Sequence, residues 1–193
     1  MAITTDDIKK LRDRSGVSVM QCKKALEEAD GDMEKAVLIL QKKSKAAVDK
    51  KSDRTLGAGA IQSYIHGEGS VGAMVELSCE TDFVARNADF VDLARQIAMH
   101  VAAMDPKFIN RDEVTEADTE KAKELFQEEV ADKPEEMKEK ILEGKLDSFL
   151  KERVLLEQTF IKDADKTIGD LVSEATQKFG ERVNVTRIAR FAI

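Results

Sequence analysis

The residues best suited to chemistry in this chain are few and widely separated. Its only cysteines are Cys22 and Cys79, and its only histidines are His66 and His100. The cysteines lack Cys-x-x-Cys spacing, which indicates neither a thiolate metal site nor a disulfide framework. Cys79 precedes Glu80 and could be an activated thiol, but the sequence positions no histidine as its base, and strand-end cysteines are usually packed. We therefore predict that the chain is not an enzyme and carries no metal or other cofactor.

Phosphate-binding motifs are also incomplete in this sequence. Gly57-Ala58-Gly59 lacks the Lys-Ser/Thr ending of a P-loop and the third glycine of a dinucleotide fingerprint. The net charge is −7, and most of the excess lies between Arg111 and Arg153, where there are 15 acidic and 9 basic residues. Because binding to nucleic acid needs a concentrated basic surface, we expect neither direct nucleic-acid binding nor nucleotide binding by the chain itself.

Hydrophobicity along the chain argues against a membrane protein. No apolar run approaches the roughly 20 residues that span a bilayer, and polar residues follow Met1 where a signal peptide would have an apolar core. Of the 193 residues, 42% are hydrophobic and 36% are charged, a balance typical of helix-rich globular chains. We expect no membrane association and a cytoplasmic location.

Two hydrophobic periods meet at residues 78–87, which makes this the most informative stretch. Apolar residues alternate with others from Val71 to Cys79, as in a half-buried strand. From Phe83 they recur at helical spacing as far as about Met104, which predicts one long helix.

The start of that predicted helix has a distinctive composition. Thr81 or Asp82 can cap its free amides, which puts Phe83 in the first turn. Two interpretations of Phe83 are open. It is either a core residue beside an ordinary cap, or a large apolar ring that projects as a wedge beside a carboxylate.

The neighbouring patterns predict a small antiparallel sheet packed with helices, an α+β fold. Residues 58–66 form a strand and residues 67–70 the turn that leads into the strand from Val71. Near the end of the chain, residues 155–161 form a short strand, residues 162–166 a charged turn, residues 167–179 a capped helix, and residues 183–193 a final strand.

Residues 1–42 predict a separate N-terminal module. Thr4, Ser18 and Asp32 can cap three short helices, and their apolar edges include a stripe from Val19 to Ala29. Three helices in about 40 residues match the size of a ubiquitin-associated-type domain. Residues 43–55 are basic and almost without apolar periodicity, so we interpret them as a linker to an α+β core at residues 56–193.

The acidic segment at about residues 113–150 contains two helices with narrow apolar seams. The seam residues are Ala122, Leu125, Phe126 and Val130 in the first helix and Met137, Ile141, Leu142, Leu146, Phe149 and Leu150 in the second. Charged flanks on both sides favour an antiparallel helical hairpin that projects from the core. The alternative is a pair of amphipathic helices folded back on that core.

Several stretches of the chain resemble bacterial elongation factor Ts, the family of exchange factors that act on elongation factor Tu. These stretches are Leu11-Arg12-Asp13-Arg14-Ser15-Gly16, Met20-Gln21-Cys22-Lys23-Lys24-Ala25-Leu26, Thr81-Asp82-Phe83-Val84-Ala85-Arg86-Asn87, Ile97-Ala98-Met99-His100-Val101-Ala102-Ala103, Lys166-Thr167-Ile168-Gly169 and Asn184-Val185-Thr186-Arg187-Ile188-Ala189-Arg190. Longer members of the family have two copies of the core module, whereas this chain has no internal repeat. It resembles the short form, in which a homodimer supplies the second copy.

The resemblance implies a function and a set of contact residues. The protein would promote GDP release from elongation factor Tu by perturbing its Mg²⁺ and phosphate site, and GTP would then displace it. The implied contacts are Thr81, Asp82, Phe83 and Val84, with Phe83 entering a side-chain pocket and Asp82 disturbing Mg²⁺ coordination. In the N-terminal module they are Arg12, Val19 and Met20, although the family commonly has Met where this chain has Val19.

A second class of function is compatible with the same patterns. The chain could be a generic adaptor, in which a three-helix binding module is joined to an unrelated α+β domain that has no effect on nucleotide exchange. Binding of residues 1–45 to a helix or a ubiquitin-like partner, without binding to elongation factor Tu, would favour the adaptor.

Overall fold

The computed structural model describes residues 3–130 and 134–193 and has an α+β fold. Its elements in chain order are α1 (Thr5–Ser15), α2 (Val19–Glu28), α3 (Met33–Asp49), β1 (Ala58–His66), β2 (Val71–Cys79), α4 (Asp82–Ala85), α5 (Ala88–Met104), α6 (Glu116–Val130), α7 (Glu135–Lys151), β3 (Thr159–Phe160), β4 (Asp163–Thr167), α8 (Ile168–Phe179) and β5 (Asn184–Ala192).

The first three helices begin at the predicted caps. Thr4 forms a capping box with Asp7, and the Ser18 and Asp32 side chains accept backbone N–H groups of α2 and α3. The three helices share a small core of their own, which consists of Leu11, Val17, Cys22, Ala25, Leu26, Ala29, Ala36 and Leu40. Val19 begins the predicted apolar stripe of α2, but its side chain is half exposed, whereas Cys22, Leu26 and Ala29 of the same stripe are buried.

The first residues of the predicted linker are helical. Helix α3 continues to Asp49, and Ser44 within it is buried. Lysine and alanine are good helix formers, so this segment stays helical without an apolar stripe. The division into residues 1–42, 43–55 and 56–193 stays a prediction.

The three longer strands form one sheet in the order β1-β2-β5. β1 and β2 are the predicted hairpin, and Gly67 and Gly69 adopt positive φ angles in its turn. β5 runs antiparallel to β2, because Ile193 bonds to Ser70 at one end whereas Thr186 bonds to Ser78 at the other. The final strand predicted for residues 183–193 is therefore confirmed.

The folded chain comprises two compact units. The first contains the chain up to Gln62, Glu76–Ala94 and Asp170–Thr186. Besides the α1–α3 bundle, it contains an edge-to-face contact between Phe90 and Phe179 and an ion pair between Lys178 and Asp89.

The second unit contains Ser63–Val75, Arg95–Gly169 and Arg187–Ile193. Here α6 packs beside α7 through an edge-to-face contact of Phe126 with Phe149. The helix bounds agree with the two helices predicted in the acidic segment. Residues 131–133 between them, and the side chain of the predicted seam residue Val130, lie outside the described part of the chain.

Two other predictions were wrong. The single long helix from Phe83 is two helices, because Asn87 interrupts it and uses its side-chain oxygen to accept the N–H of Asp89 at the start of α5. In the tail, residues 155–157 form a 3₁₀ turn, and the predicted charged turn is strand β4, which pairs antiparallel with β3. Pairing with β3 gives this polar segment its extended form, although its composition is typical of a turn.

Candidate functional site

The candidate site is the turn where β2 ends and α4 begins. Thr81 is extended and caps α4, with its hydroxyl oxygen 3.5 Å from the N–H of Val84. Val84 and Ala85 are buried, whereas the side chain of Phe83 is 83% exposed. Successive helical residues point about 100° apart. One side of this short helix therefore packs on the core through Val84 and Ala85, and another side presents Phe83 to solvent.

That exposure decides between the two interpretations of Phe83 as a residue of this fold. A core phenylalanine would be almost fully covered, so the core interpretation is wrong. A single exposed apolar side chain is ordinary on a protein surface, so exposure alone does not assign Phe83 a partner. Phe83, Asp82, Arg86 and Asn87 line a shallow depression of the surface. The partner contacts expected of Thr81, Asp82, Phe83 and Val84 stay predictions.

Asp82 lies beside Phe83 and is also exposed. Its carboxylate is 3.2 Å from the guanidinium of Arg86 one turn later, and both side chains are largely in solvent. Exposed ion pairs of this kind contribute little to stability. The Asp82 carboxylate is thus oriented by Arg86 but stays accessible to a partner.

Glu181 fixes the backbone in front of the site. Its carboxylate accepts the N–H of Glu80 at 3.2 Å and the N–H of Thr81 at 3.0 Å. The hydroxyl of Thr81 donates to the other oxygen of the same carboxylate at 2.6 Å. Hydrogen bonds to a charged acceptor are stronger than neutral ones, so one side chain holds the strand end and the cap together.

Glu80, which follows β2, bonds in turn to Arg182, the residue after Glu181. Its carboxylate accepts the N–H of Arg182 at 2.5 Å and a guanidinium N–H of Arg54 at 3.1 Å. Arg182 also donates to the carbonyl of Arg54 at 2.7 Å. The Arg182 N–H, followed by Arg54, lowers the pKa of Glu80 below its ordinary value. We call Glu80, Thr81, Glu181 and Arg182 the clamp.

Cys79 lies immediately before the clamp and is fully buried. Its thiol is 3.2 Å from the carbonyl oxygen of Thr81. Burial first, and then the charge of Glu181, raises the pKa of this thiol. A raised pKa disfavours the reactive thiolate, so the geometry argues against the activated-thiol alternative.

The N-terminal candidates lie on a different element of the structure. Val19 and Met20 stand together in the first turn of α2 and are at least half exposed. Arg12 is exposed on α1. The sequence does not indicate the clamp residues Glu181 and Arg182, because the residues they bond to are about 100 positions away and no local pattern marks them. It does not indicate Arg54, which donates to Glu80, either.

The structure also bears on a metal site and on membrane insertion. Among the His, Cys, Asp and Glu side chains that the structure describes, which leave out residues 128–133 and 135–136, no three are grouped so that they could hold a metal ion. Within residues 3–130 and 134–193, no helix is both long and apolar enough to cross a bilayer. His100 is buried, and its Nε2 lies 2.9 Å from the Oε1 of Gln158.

Comparison with known proteins identifies the class as translation elongation factors. The family model described as Elongation factor TS matches residues 43–193. Elongation factor Ts of Thermotoga maritima is 48% identical over 193 residues, which are 100% of this chain and 97% of the relative. The protein of the same name from Thermosipho melanesiensis is 48% identical over 188 residues, 96% of each chain.

The match extends over essentially the whole chain. A third relative, elongation factor Ts of Desulforamulus reducens, is 48% identical over 191 residues, 98% of this chain and 88% of its own length. This chain belongs to the elongation factor Ts family. Its 193 residues agree with the predicted short form, since relatives such as that of Thermotoga maritima are about as long.

Proposed function

We propose that this protein is a guanine-nucleotide exchange factor for elongation factor Tu in translation elongation. Family membership supports the partner, and the observation that carries the proposal is the exposed ring of Phe83 on a turn that Glu181 and Glu80 brace. The protein carries out no chemical reaction and needs no cofactor. It acts as a binding protein in the cytoplasm, without direct contact with nucleic acid.

In this proposal Thr81, Asp82, Phe83 and Val84 approach the nucleotide domain of elongation factor Tu. Phe83 enters a side-chain pocket, and Asp82 makes polar contacts that disturb the Mg²⁺ and phosphate site. Burial of a phenylalanine contributes roughly 1.5–3 kcal/mol, and truncation of a central interface anchor costs about 2 kcal/mol or more. That free energy favours the geometry of elongation factor Tu from which GDP has departed.

Thermodynamic linkage makes the coupling between nucleotide and exchange factor reciprocal. If the exchange factor weakens nucleotide binding by some factor, nucleotide weakens binding of the exchange factor by the same factor. GTP that binds the opened site therefore expels the exchange factor. The shift requires only that Phe83 and Asp82 interact better with the nucleotide-free state than with the nucleotide-bound one.

The N-terminal module supplies a second contact in the same proposal. Its three helices adopt the ubiquitin-associated arrangement, and Arg12, Val19 and Met20 dock on elongation factor Tu. The exposed apolar side chains of Val19 and Met20 support this role. Helices α6 and α7 project as an antiparallel arm, which the contact between Phe126 and Phe149 supports. Leu125 and Met137 were expected in the seam between these helices, but both are exposed, so that part of the prediction was wrong.

Two copies of the chain associate in this proposal, since each chain has a single core module. The support is an apolar face of the sheet. Ile65 lies over Gly72, where a Cβ atom would come within 2.7 Å of its Cδ1, so Ile65 and Met74 share that face. Phe191 lies two residues before Ile193, and Ile193 bonds to Ser70. In an antiparallel pair this puts Phe191 beside Gly72 on the same face, and its ring is 76% exposed.

Sedimentation velocity tests the association of two copies. The wild type should sediment as a dimer at micromolar concentration, and Phe191→Glu should sediment as a folded monomer because it puts a charge into the apolar face. Leu125→Glu makes the same kind of change on an exposed residue of α6 and should leave the dimer intact. A wild type that is monomeric at all concentrations contradicts the dimer.

Stimulated GDP release tests the exchange function. Elongation factor Tu loaded with a fluorescent GDP analogue is chased with excess unlabelled GDP, alone and with the wild type, Phe83→Ala or Leu125→Ala. We expect the wild type to accelerate release, Phe83→Ala to lose at least tenfold of that acceleration, and Leu125→Ala, another exposed apolar truncation, to retain it. A tenfold loss corresponds to about 1.4 kcal/mol.

Failure has two informative forms in this experiment. No acceleration by the folded wild type, with active elongation factor Tu, would contradict the exchange function and favour the adaptor. Acceleration that survives in Phe83→Ala would preserve the exchange function but remove the wedge.

A further inference from the structure

The carboxylate of Glu181 makes an unusual number of bonds to one turn. Two of its acceptor positions take the N–H groups of the consecutive residues Glu80 and Thr81, and a third takes the Thr81 hydroxyl. A carboxylate offers about four such positions. Most of the capacity of Glu181 is therefore directed at the two residues that precede α4.

These bonds determine the direction in which α4 starts. The hydroxyl proton of Thr81 points at Glu181, which leaves the oxygen lone pairs to accept the N–H of Val84. The N–H of Thr81 is held by the same carboxylate. Both the extended backbone of the cap and its side chain are thus fixed by one residue.

Phe83 depends on that backbone for its position. The exposed ring has little surrounding protein to hold it, so its place in space is set by the first turn of α4. By contrast, Cys79, Val84 and Ala85 are buried on either side and keep the segment folded without Glu181. Loss of Glu181 should therefore loosen the presentation of Phe83 without unfolding the protein.

We propose that Glu181 is a positioning residue for nucleotide exchange, which acts by orienting the turn that carries Phe83. The inference rests on the proposed exchange function. Because a binding group that is misplaced by about 1 Å can lose much of its effect, a partner pocket that admits Phe83 should be sensitive to the loss of these bonds.

The first measurement uses the free protein and does not depend on exchange activity. In Glu181→Ala, both carboxylate oxygens are absent, so the bonds that Glu80 and Thr81 donate to them are lost. We expect the backbone amides of Glu80 and Thr81 to exchange hydrogen at least tenfold faster, as measured by NMR, while amides in the middle of α5 keep their protection. Unchanged protection at both amides would overturn the inference.

The second measurement is stimulated GDP release from elongation factor Tu. Glu181→Ala should lose at least fivefold of the acceleration in the wild-type background, and nothing further in the Phe83→Ala background. Such non-additivity distinguishes a residue that acts through Phe83 from one that merely stabilises the fold. Equal losses in both backgrounds, or no loss in the first, would overturn the positioning role.

Glu113→Ala provides a matched control. Its carboxylate also accepts a backbone N–H, that of Ile109 at 2.7 Å, but in the other compact unit. This variant should accelerate GDP release as the wild type does. If the wild type itself gives no acceleration, the exchange function fails and the positioning role fails with it, whereas a failure confined to Glu181→Ala leaves the exchange function standing.

Discussion

Phe83 and His100 both occupy positions that contradict their polarity. The aromatic ring of Phe83 is 83% exposed, whereas the imidazole of His100 is fully buried. The two residues differ in what their surroundings supply. His100 has a protein partner for its Nε2 in Gln158 and an aromatic neighbour in Phe160, so the fold itself covers the ring, although no hydrogen-bond partner is found for the buried Nδ1 in the described part of the chain. Phe83 has a braced backbone but an uncovered ring, an arrangement that the proposed contact with elongation factor Tu would explain.

The largest effect expected from this contrast is on stability, at His100. His100→Ala removes a buried ring and leaves Gln158 without its bond, which should lower the free energy of unfolding by about 2–4 kcal/mol. Chemical denaturation measures the change. His66→Ala, which truncates an exposed histidine, should change stability by less than about 0.5 kcal/mol.

The contrast between Phe83 and His100 would fail if His100→Ala lost exchange activity, as is expected for truncation of an interface residue. Where the variant is fully folded, it should accelerate GDP release as the wild type does, because a buried side chain cannot touch a partner. A folded, stable His100→Ala protein with lost exchange activity would mean that His100 becomes accessible when elongation factor Tu binds.

Phe83→Ala should show the opposite pattern. Its stability should change by less than about 0.5 kcal/mol, because little apolar surface is uncovered, although we expect most of its exchange activity to be lost. A loss of about 3–5 kcal/mol, typical of a core phenylalanine, would show that the ring is covered in solution and would remove the contrast with His100.

Elements that depend on residues close together in the chain are predicted well from the sequence. Caps at Thr4, Ser18 and Asp32, the β1–β2 hairpin and the final strand follow from periods and cap residues that lie within a few positions of one another. The position of Phe83 in a first turn follows from the same signals, since Thr81 caps α4. Its exposure does not, because the same pattern describes a core residue.

Features made by distant residues could not be predicted. Glu181 follows a helix that ends at Phe179, and nothing in its own neighbourhood indicates bonds to Thr81. Strand β4 has the composition of a turn and becomes extended only because β3 pairs with it. In both cases the decisive partner is set by tertiary structure, which a single sequence does not specify.

The smallest effect we predict is the pH dependence that His100 contributes. Burial lowers the pKa of His100 in the folded protein, and the bond to Gln158 opposes this only in part. The unfolded chain takes up its proton near the ordinary pKa of about 6.5, so protonation favours unfolding. The contribution of His100 to stability is thus fully present above about pH 6.5 and is lost as pH falls from there towards the lowered pKa of the folded state.

The His100→Gln variant isolates that contribution, because glutamine can still bond to Gln158 but does not titrate. Below about pH 6.5, wild-type stability should fall by as much as about 1.4 kcal/mol per pH unit more than that of the variant. Denaturation between pH 7.5 and 5.5 suits the comparison, since the lowered pKa of Glu80 puts its titration at more acidic pH and His66 is present in both proteins. Identical slopes would show that His100 takes up its proton equally well in the folded state. The contrast between a buried His100 and an exposed Phe83 would then not hold in solution.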